Sequence, residues 1–181
     1  MNRFKCSMAL AASLMLGCSP EKQLTFDVEY GFYENFMREP VGDRGQFTCQ
    51  VRIEENYRGE KWVPSVILAA AEDDNEDSTL FLSSYPVEEG TQRVFALRTH
   101  VNEKPVIREW PLTGPNRNDR YGLRVAWHAD GSISYQMDNG EGWSAPATVH
   151  DPGFKVRHVS AHASGVKGSA SCRLSDDDTS D

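Results

Sequence analysis

Several features that would point directly to a chemical function are missing from this sequence. It has no CxxC pair, no cysteine–histidine spacing of a zinc site, and no serine or cysteine in a nucleophile elbow. It has no internal repeat and no long helical period, which argues against repeat solenoids and helical bundles. Lysine and arginine total 19 against 27 aspartates and glutamates, so the net charge is −8. An acidic surface argues against nucleic acid as a partner.

Apolar runs are short, and the N-terminal one has the layout of a secretory signal. Two basic residues precede Met8–Leu16, a run as long as a signal-peptide core and too short for a membrane-spanning helix. The segment Leu14–Cys18, with the sequence LMLGC, resembles the lipobox of bacterial lipoproteins. That resemblance implies cleavage before Cys18, lipidation of its thiol and, because Ser19 follows it, an outer-membrane address. An ordinary signal peptide cleaved nearby is the alternative.

The cysteine count agrees with export. Of the four cysteines, Cys6 leaves with the signal and Cys18 takes the lipid. The remaining pair, Cys49 and Cys172, predicts one disulfide in an oxidising compartment. Each lies on the apolar side of an alternating segment, so we expect the bridge in the core, where it closes a very long loop.

Alternation of apolar and polar residues predicts short strands along most of the chain. In the first, Leu24–Phe32, Tyr30 takes an inward position and is expected in the core. Val63–Ala71 is almost wholly apolar and predicts a strand covered on both faces, although a short buried helix fits nearly as well. Residues 111–120 predict a long exposed connection. About ten strands with turn signals between them predict an all-β fold, an antiparallel sandwich or barrel.

The chain divides into four predicted parts. The stretch before Cys18 would be removed, which also removes both basic residues of the signal and leaves a more acidic mature chain. What remains is long enough to bury a core of ordinary size. The predicted parts are a lipoprotein signal peptide at 1–17, a lipidated tether at 18–23, a β-sandwich domain at 24–174 and an acidic disordered tail at 175–181.

One hairpin can be predicted residue by residue. Odd-numbered residues face inward on both of its arms, Leu123–Trp127 and Ile133–Met137. Since directly opposed residues share a face, Trp127 must pair with Ile133 across a three-residue loop. A loop of this type needs a left-handed third residue, which Gly131 supplies. Trp127 and Tyr135 are therefore expected in the core.

The same hairpin carries a resemblance to a known fold. The segments 121–127 and 133–140, with the step Asp130-Gly131 between them, resemble the late hairpin of concanavalin A-like lectin/glucanase jelly rolls, a group that includes laminin G-like domains. Val159–Leu174 is similar to their closing strand, and Phe47–Ile53 suits the partner of that strand. The resemblance implies a jelly-roll sandwich, a fold that hosts both lectins and glycosidases.

The densest acidic run, 72–77, has a catalytic interpretation. Glu72, Asp74 and Glu76 have the ExDxE spacing of one glycosidase family with this fold, in which alternate carboxylates on a strand face act as nucleophile and acid. Asp73 and Asn75 stand where that pattern needs apolar core residues, and burying them would be costly.

The same run has two other interpretations. Asp73, Asn75 and Asp77 match the first ligands of a calcium loop, and an irregular calcium site would use such oxygens. A solvated loop between two strands is the interpretation we favour.

Aromatic residues in the predicted loops are the candidate ligand-binding residues. Tyr57, Trp62 and Trp143 lie in or beside polar loops, where a flat ring can stack on the apolar face of a sugar. The alternative is that they fold back to close the ends of the sandwich. His158 and His162 share a strand face about 13 Å apart, too far for one metal ion, and are expected at the surface or rim.

These features together predict a non-catalytic lipoprotein, held in the cell envelope by its lipid, that binds glycan or another envelope component. No cofactor is expected unless calcium occupies the acidic run. A small glycoside hydrolase of the same fold and a structural lipoprotein that binds protein are the alternatives.

The lipid anchor gives a first prediction. Replacing the lipidated cysteine, Cys18→Ser, should release the protein from membranes into the soluble envelope fraction, because nothing else in the acidic chain favours an anionic lipid surface. Phase partition in a detergent extract measures this. Cys6→Ser is the matched control, since Cys6 is predicted to leave with the signal. Unchanged membrane partition of Cys18→Ser would rule out the anchor.

Overall fold

Two six-stranded antiparallel sheets form the fold within residues 20–73, 77–87, 90–101, 104–111 and 120–176, which the computed structural model describes. The first sheet contains, in spatial order, β1 (Lys22–Asp27), β12 (Val166–Ser175), β3 (Gly45–Asn56), β8 (Arg120–Trp127), β9 (Ser132–Asp138) and β10 (Ala147–His150). The second contains β2 (Glu34–Pro40), β11 (His158–Ser164), β4 (Ser65–Ala71), β5 (Asp77–Val87), β6 (Gly90–Val101) and β7 (Lys104–Pro111). The predicted all-β antiparallel sandwich is confirmed.

The predicted N- and C-terminal parts are only partly described. The signal segment with Cys18, the acidic tail beyond residue 176 and most of the connection predicted at 111–120 lie outside the described residues. The first strand begins at Lys22, inside the stretch predicted as a tether. In the described part of the chain, no helix is long and apolar enough to cross a membrane.

The longest described pairing within the first sheet joins β3 to β12. Cys49 lies directly opposite Cys172 in this ladder, and the two fully buried side chains form a disulfide, as predicted. The bridge joins residues 123 positions apart. In the chain-entropy account a loop of that length is worth about 5 kcal/mol of unfolding free energy.

The predicted hairpin between β8 and β9 is confirmed in its register and loop. Trp127 pairs with Ile133, and the pairing continues to Leu123 opposite Met137. Gly131 has a φ of +82°, which is the left-handed conformation that the three-residue loop requires. Trp127 and Tyr135 are 2% and 0% exposed, so both lie in the core as expected.

The expectation that alternation continues to Phe32 is wrong. The first strand ends at Asp27, and Gly31, with a φ of +85°, lies in a turn that breaks the alternation. Tyr30 is therefore half-buried in a turn instead of lying in the core, and Phe32 is 65% exposed.

Two other segments clarify the topology. All seven residues of β4 are buried, which confirms a strand over the alternative of a helix. The segment likened to one closing strand is two strands, β11 and β12, which belong to different sheets. They meet at Gly165, whose φ of +61° allows the chain to turn from one sheet to the other.

Two glycines of similar backbone conformation provide a stability test. A Cβ at Gly131 would lie 2.1 Å from the carbonyl oxygen of Asp151, whereas at Gly31 it would meet nothing within 4 Å. Gly31→Ala should cost about 1 kcal/mol for the left-handed backbone alone. Gly131→Ala should cost about 1–3 kcal/mol more, because the loop must shift to relieve the clash. Urea unfolding of the two variants measures the difference, and equal losses would contradict the packing described here.

Candidate functional site

The outer face of the second sheet has a floor of small side chains. Val66, Leu68 and Ala70 on β4 point into the core, so the alternate residues of that strand point outward. These outward residues are nonetheless buried, together with several of their neighbours in register on β5 and β11. The floor residues are Ser65, Ile67, Ala69, Ala71, Thr79, Ser83 and Ser160, each 3–7% exposed.

A groove of about 330 Å³ crosses the strands above part of this floor. Tyr33 and Trp62 stand on one side of it, and Ile107 stands on β7 at the other. These three side chains are 59%, 64% and 60% exposed, which is unusual for large apolar groups that line one groove. From β11 to β7 the face spans about 19 Å, at the usual distance between neighbouring strands. The groove therefore suits an extended ligand.

The loop that presents Trp62 is held by Tyr30. The Tyr30 hydroxyl accepts hydrogen bonds from the backbone N–H groups of Lys61 and Trp62, the latter at 2.8 Å. Its ring packs so closely on Gly59 that any Cβ there would overlap it. At the start of the loop, the N–H of Tyr57 donates to the carbonyl of Gly165 at 2.8 Å. The indole is thus exposed on a backbone that is fixed at both ends.

Tyr33 is supported from below by a histidine of β11. The two rings stack with centroids 4.7 Å apart. Nε2 of His162 is hydrogen-bonded to the Ser160 hydroxyl at 2.6 Å. Burial, with smaller effects of Arg38 and His158, lowers the pKa of His162 to about 4. The imidazole is therefore neutral near pH 7 and acts as a flat apolar support that leaves the other face of Tyr33 open to the groove.

The three aromatic residues predicted to bind ligand lie in three different places. Trp62 lines the groove, whereas Tyr57 lines a separate cavity and donates its hydroxyl proton to Asp27 at 2.5 Å. Trp143 packs on the outer face of the first sheet, where the Arg124 guanidinium lies 4.0 Å from its ring centroid. The structure therefore does not unite them in one platform.

The sequence interpretation missed Tyr33 and Ile107. Tyr33 lies between β1 and β2, outside the strands, so alternation gave no signal for it. Ile107 gave no signal either, since Val106 and Ile107 are both apolar and the sequence alone does not show which of them faces outward.

The acidic run connects β4 to β5. Glu72 follows β4 and is not on a strand face, and its carboxylate accepts the N–H of Lys155 at 3.2 Å. Asp73 is exposed, Asp77 begins β5, and residues 74–76, with Asp74, Asn75 and Glu76, lie outside the described residues. Within the described ranges, no three acidic, histidine or cysteine side chains gather closely enough to hold a metal ion. Because residues 74–76 are not described, the catalytic and calcium interpretations of the run stay untested predictions.

Comparison with known proteins identifies the fold. No protein family and no curated protein sequence matches the chain. The Ca²⁺-bound exoplasmic/lumenal domain of VIP36 has a TM-score of 0.57 at 11% identity, over 90% of this chain and 84% of that one. The CBM2 module of the evolved Dit of Lactobacillus casei BL23 phage J-1 has a TM-score of 0.53 at 11% identity, over 83% and 74%. The legume lectin-like domain of Entamoeba histolytica has a TM-score of 0.50 at 10% identity, over 85% and 86%. The chain has a lectin-like β-sandwich fold.

The partly buried imidazole of His162 predicts how the stability of the fold depends on pH. Because the pKa of His162 is about 4 in the folded protein and near 6.5 when unfolded, only the unfolded chain takes up that proton in between. The free energy of unfolding should therefore fall as the pH is lowered from 6.5 towards 4, by about 1–2 kcal/mol after allowance for the partial exposure of the ring.

The variant His162→Phe keeps a ring beneath Tyr33 and removes the titrating group. Urea unfolding of both proteins at several pH values across this window measures the effect. The wild type should lose more stability than the variant as the pH is lowered. Parallel curves would show that His162 does not carry this dependence.

Proposed function

We propose that the protein is a non-catalytic binding protein that holds a neutral glycan chain in the groove on the outer face of its second sheet. The observation that carries this proposal is the pair of exposed rings, Trp62 and Tyr33, which line one groove together with the hydroxyls of Ser65 and Ser83. Large exposed rings in a groove can stack on the apolar faces of sugars, which is driven by apolar area and needs no ligand charge.

The remaining lining of the groove suits hydroxyl groups. Ser65 and Ser83 place hydroxyls on its floor, and these can both donate and accept hydrogen bonds. Arg98 and Glu109 lie on the far side and carry opposite charges. A lining without a dominant charge, in a protein of net charge −8, favours a neutral glycan over an acidic one.

Solved structures of the same fold support a carbohydrate partner. The VIP36 domain has been solved in a Ca²⁺/Man2-bound and a Ca²⁺/Man3GlcNAc-bound form, each with a TM-score of 0.55 to this chain. Those relatives bind their sugars with calcium present, whereas the proposal for this chain depends on the rings and hydroxyls of the groove.

The carboxylates that line the groove are too few for the usual glycosidase mechanism, which favours binding without hydrolysis. Glycosidases of the common kind place two carboxyl groups on either side of the bond they cleave, about 5–9.5 Å apart. Among the described residues that line the groove, Glu109 is the sole carboxylate. We further propose that the lipid on Cys18 holds the groove within the cell envelope, as the N-terminal sequence predicts.

The proposal predicts that Trp62 is essential for retention by glycan. Trp62→Ala should weaken binding to immobilised neutral polysaccharides by about tenfold, because it removes the largest exposed ring of the groove. The melting temperature should change little, since an exposed side chain contributes little to stability. Affinity gel electrophoresis measures the retention.

Trp143→Ala is the matched control, because it removes an indole from the other sheet. It should leave retention unchanged. If Trp143→Ala abolishes retention and Trp62→Ala does not, the site lies on the first sheet. If the wild type binds no neutral glycan, the proposal fails and a protein partner becomes the better explanation.

A further inference from the structure

A second cavity lies at one end of the sandwich and is larger than the groove. Its volume is about 520 Å³, within the range of cavities that hold small molecules. The loop between β3 and β4 forms much of its wall, and residues near the end of β5 and the start of β6 complete it. Its described lining consists of Asn56, Tyr57, Arg58, Gly59, Glu60, Pro64, Ser84 and Thr91.

The cavity and the groove share one loop but face different ways. Ser83 and Tyr85 of β5 line the groove, whereas Ser84, between them, lines the cavity. Adjacent residues of a strand point to opposite faces. The cavity therefore opens between the two sheets, and the groove lies outside the second one. A ligand in one does not occupy the other.

A buried acceptor beside the cavity has no hydrogen-bond partner among the described residues. Asn56 is opposite Val166, which is fully buried, so the two side chains share the inward face. The side-chain oxygen of Asn56 is shielded from solvent and forms no hydrogen bond with any described residue. A buried acceptor left unsatisfied is costly, and a turn of the Asn56 side chain towards the cavity would let a ligand hydroxyl remove that cost.

A donor lies in the same cavity. Ser84 is 2% exposed, and its hydroxyl oxygen accepts a hydrogen bond from Nη1 of Arg93 at 2.8 Å. As the acceptor in that bond, Ser84 retains its own O–H to donate. The cavity thus offers one acceptor and one donor, which is the pairing that neighbouring hydroxyls of a sugar require.

The wall beside these groups is aromatic and fixed. The backbone N–H of Tyr57 donates a hydrogen bond to the carbonyl of Gly165, and the Tyr57 hydroxyl donates one to the carboxylate of Asp27. Arg58 and Glu60 are exposed and carry opposite charges, so the loop favours neither an anion nor a cation.

We propose that this cavity is a second, independent binding site for a single neutral sugar. The sugar would donate a hydroxyl proton to the Asn56 side-chain oxygen and accept one from Ser84, with its apolar face against the ring of Tyr57. This site does not require the groove, so either can exist without the other.

Amide chemical shifts in a ¹H–¹⁵N NMR titration locate binding at each site separately. The probes are the methyl glycosides of glucose, galactose, mannose and N-acetylglucosamine. At least one should produce saturable shifts at Asn56, Gly59 and Thr91. Asn56→Leu should weaken that binding by about fivefold to tenfold, which is the usual effect of one lost hydrogen bond. It should not destabilise the fold, because it removes an unsatisfied acceptor.

Further variants keep the test decisive. Tyr57→Ala should weaken binding to a similar degree, whereas Tyr57→Phe, which keeps the ring, should leave it within about twofold. Trp62→Ala should leave the cavity shifts unchanged. Shifts confined to groove residues such as Phe81 and Ala96 would overturn the second site while supporting the groove. Cavity shifts that survive Asn56→Leu and Tyr57→Ala, or no shifts with any probe, would also overturn it.

Discussion

The pairing of β3 with β12 is the interaction on which the rest of the structure depends. It joins the first part of the domain to the last, and the buried disulfide between Cys49 and Cys172 fixes its register. Directly before β12 the chain turns at Gly165, which follows β11, a strand of the other sheet. The carbonyl of Gly165 also accepts the N–H of Tyr57, at the start of the loop that carries Trp62. The β3–β12 pairing, the turn at Gly165 and the loop between β3 and β4, called the binding loop below, are therefore one connected unit.

Tertiary contacts hold the binding loop in position. Its residues are outside the strands, and Tyr30 from a separate turn supplies the hydroxyl that its N–H groups need. The groove uses one side of this loop and the second cavity uses the other. A change that loosens the loop would therefore affect both proposed sites, whereas a change to one lining side chain would affect only one.

The features predicted correctly from the sequence either depend on residues close together along the chain or leave a single possible pairing. The β8–β9 hairpin follows from the parity of two short segments and one glycine, so it could be predicted to the residue. The disulfide could be predicted because only two cysteines remained after the predicted signal and lipid site. Tyr30 was wrongly placed because alternation cannot show where a turn such as Gly31 interrupts it.

The groove could not be predicted from the sequence, because it is made by strand order. Ile67 on β4 and Ile107 on β7 come to line one groove only because β5 and β6 lie between their strands in the sheet, an order that the sequence does not show. Likewise, Tyr33 is held at the side of the groove by its stacking on His162, a residue 129 positions away along the chain. Alternation shows which residues share a face of one strand, but not which strands are neighbours.

The central claim is that the ligand lies on the outer face of the second sheet. A crystal structure of the protein with a neutral oligosaccharide, chosen from those that retain it, tests this most directly. The account predicts a sugar ring stacked on Trp62, with the chain running over Ile67 and Ser83 towards β7. A sugar bound against Trp143 on the first sheet, with the groove of the second sheet left open, would contradict it.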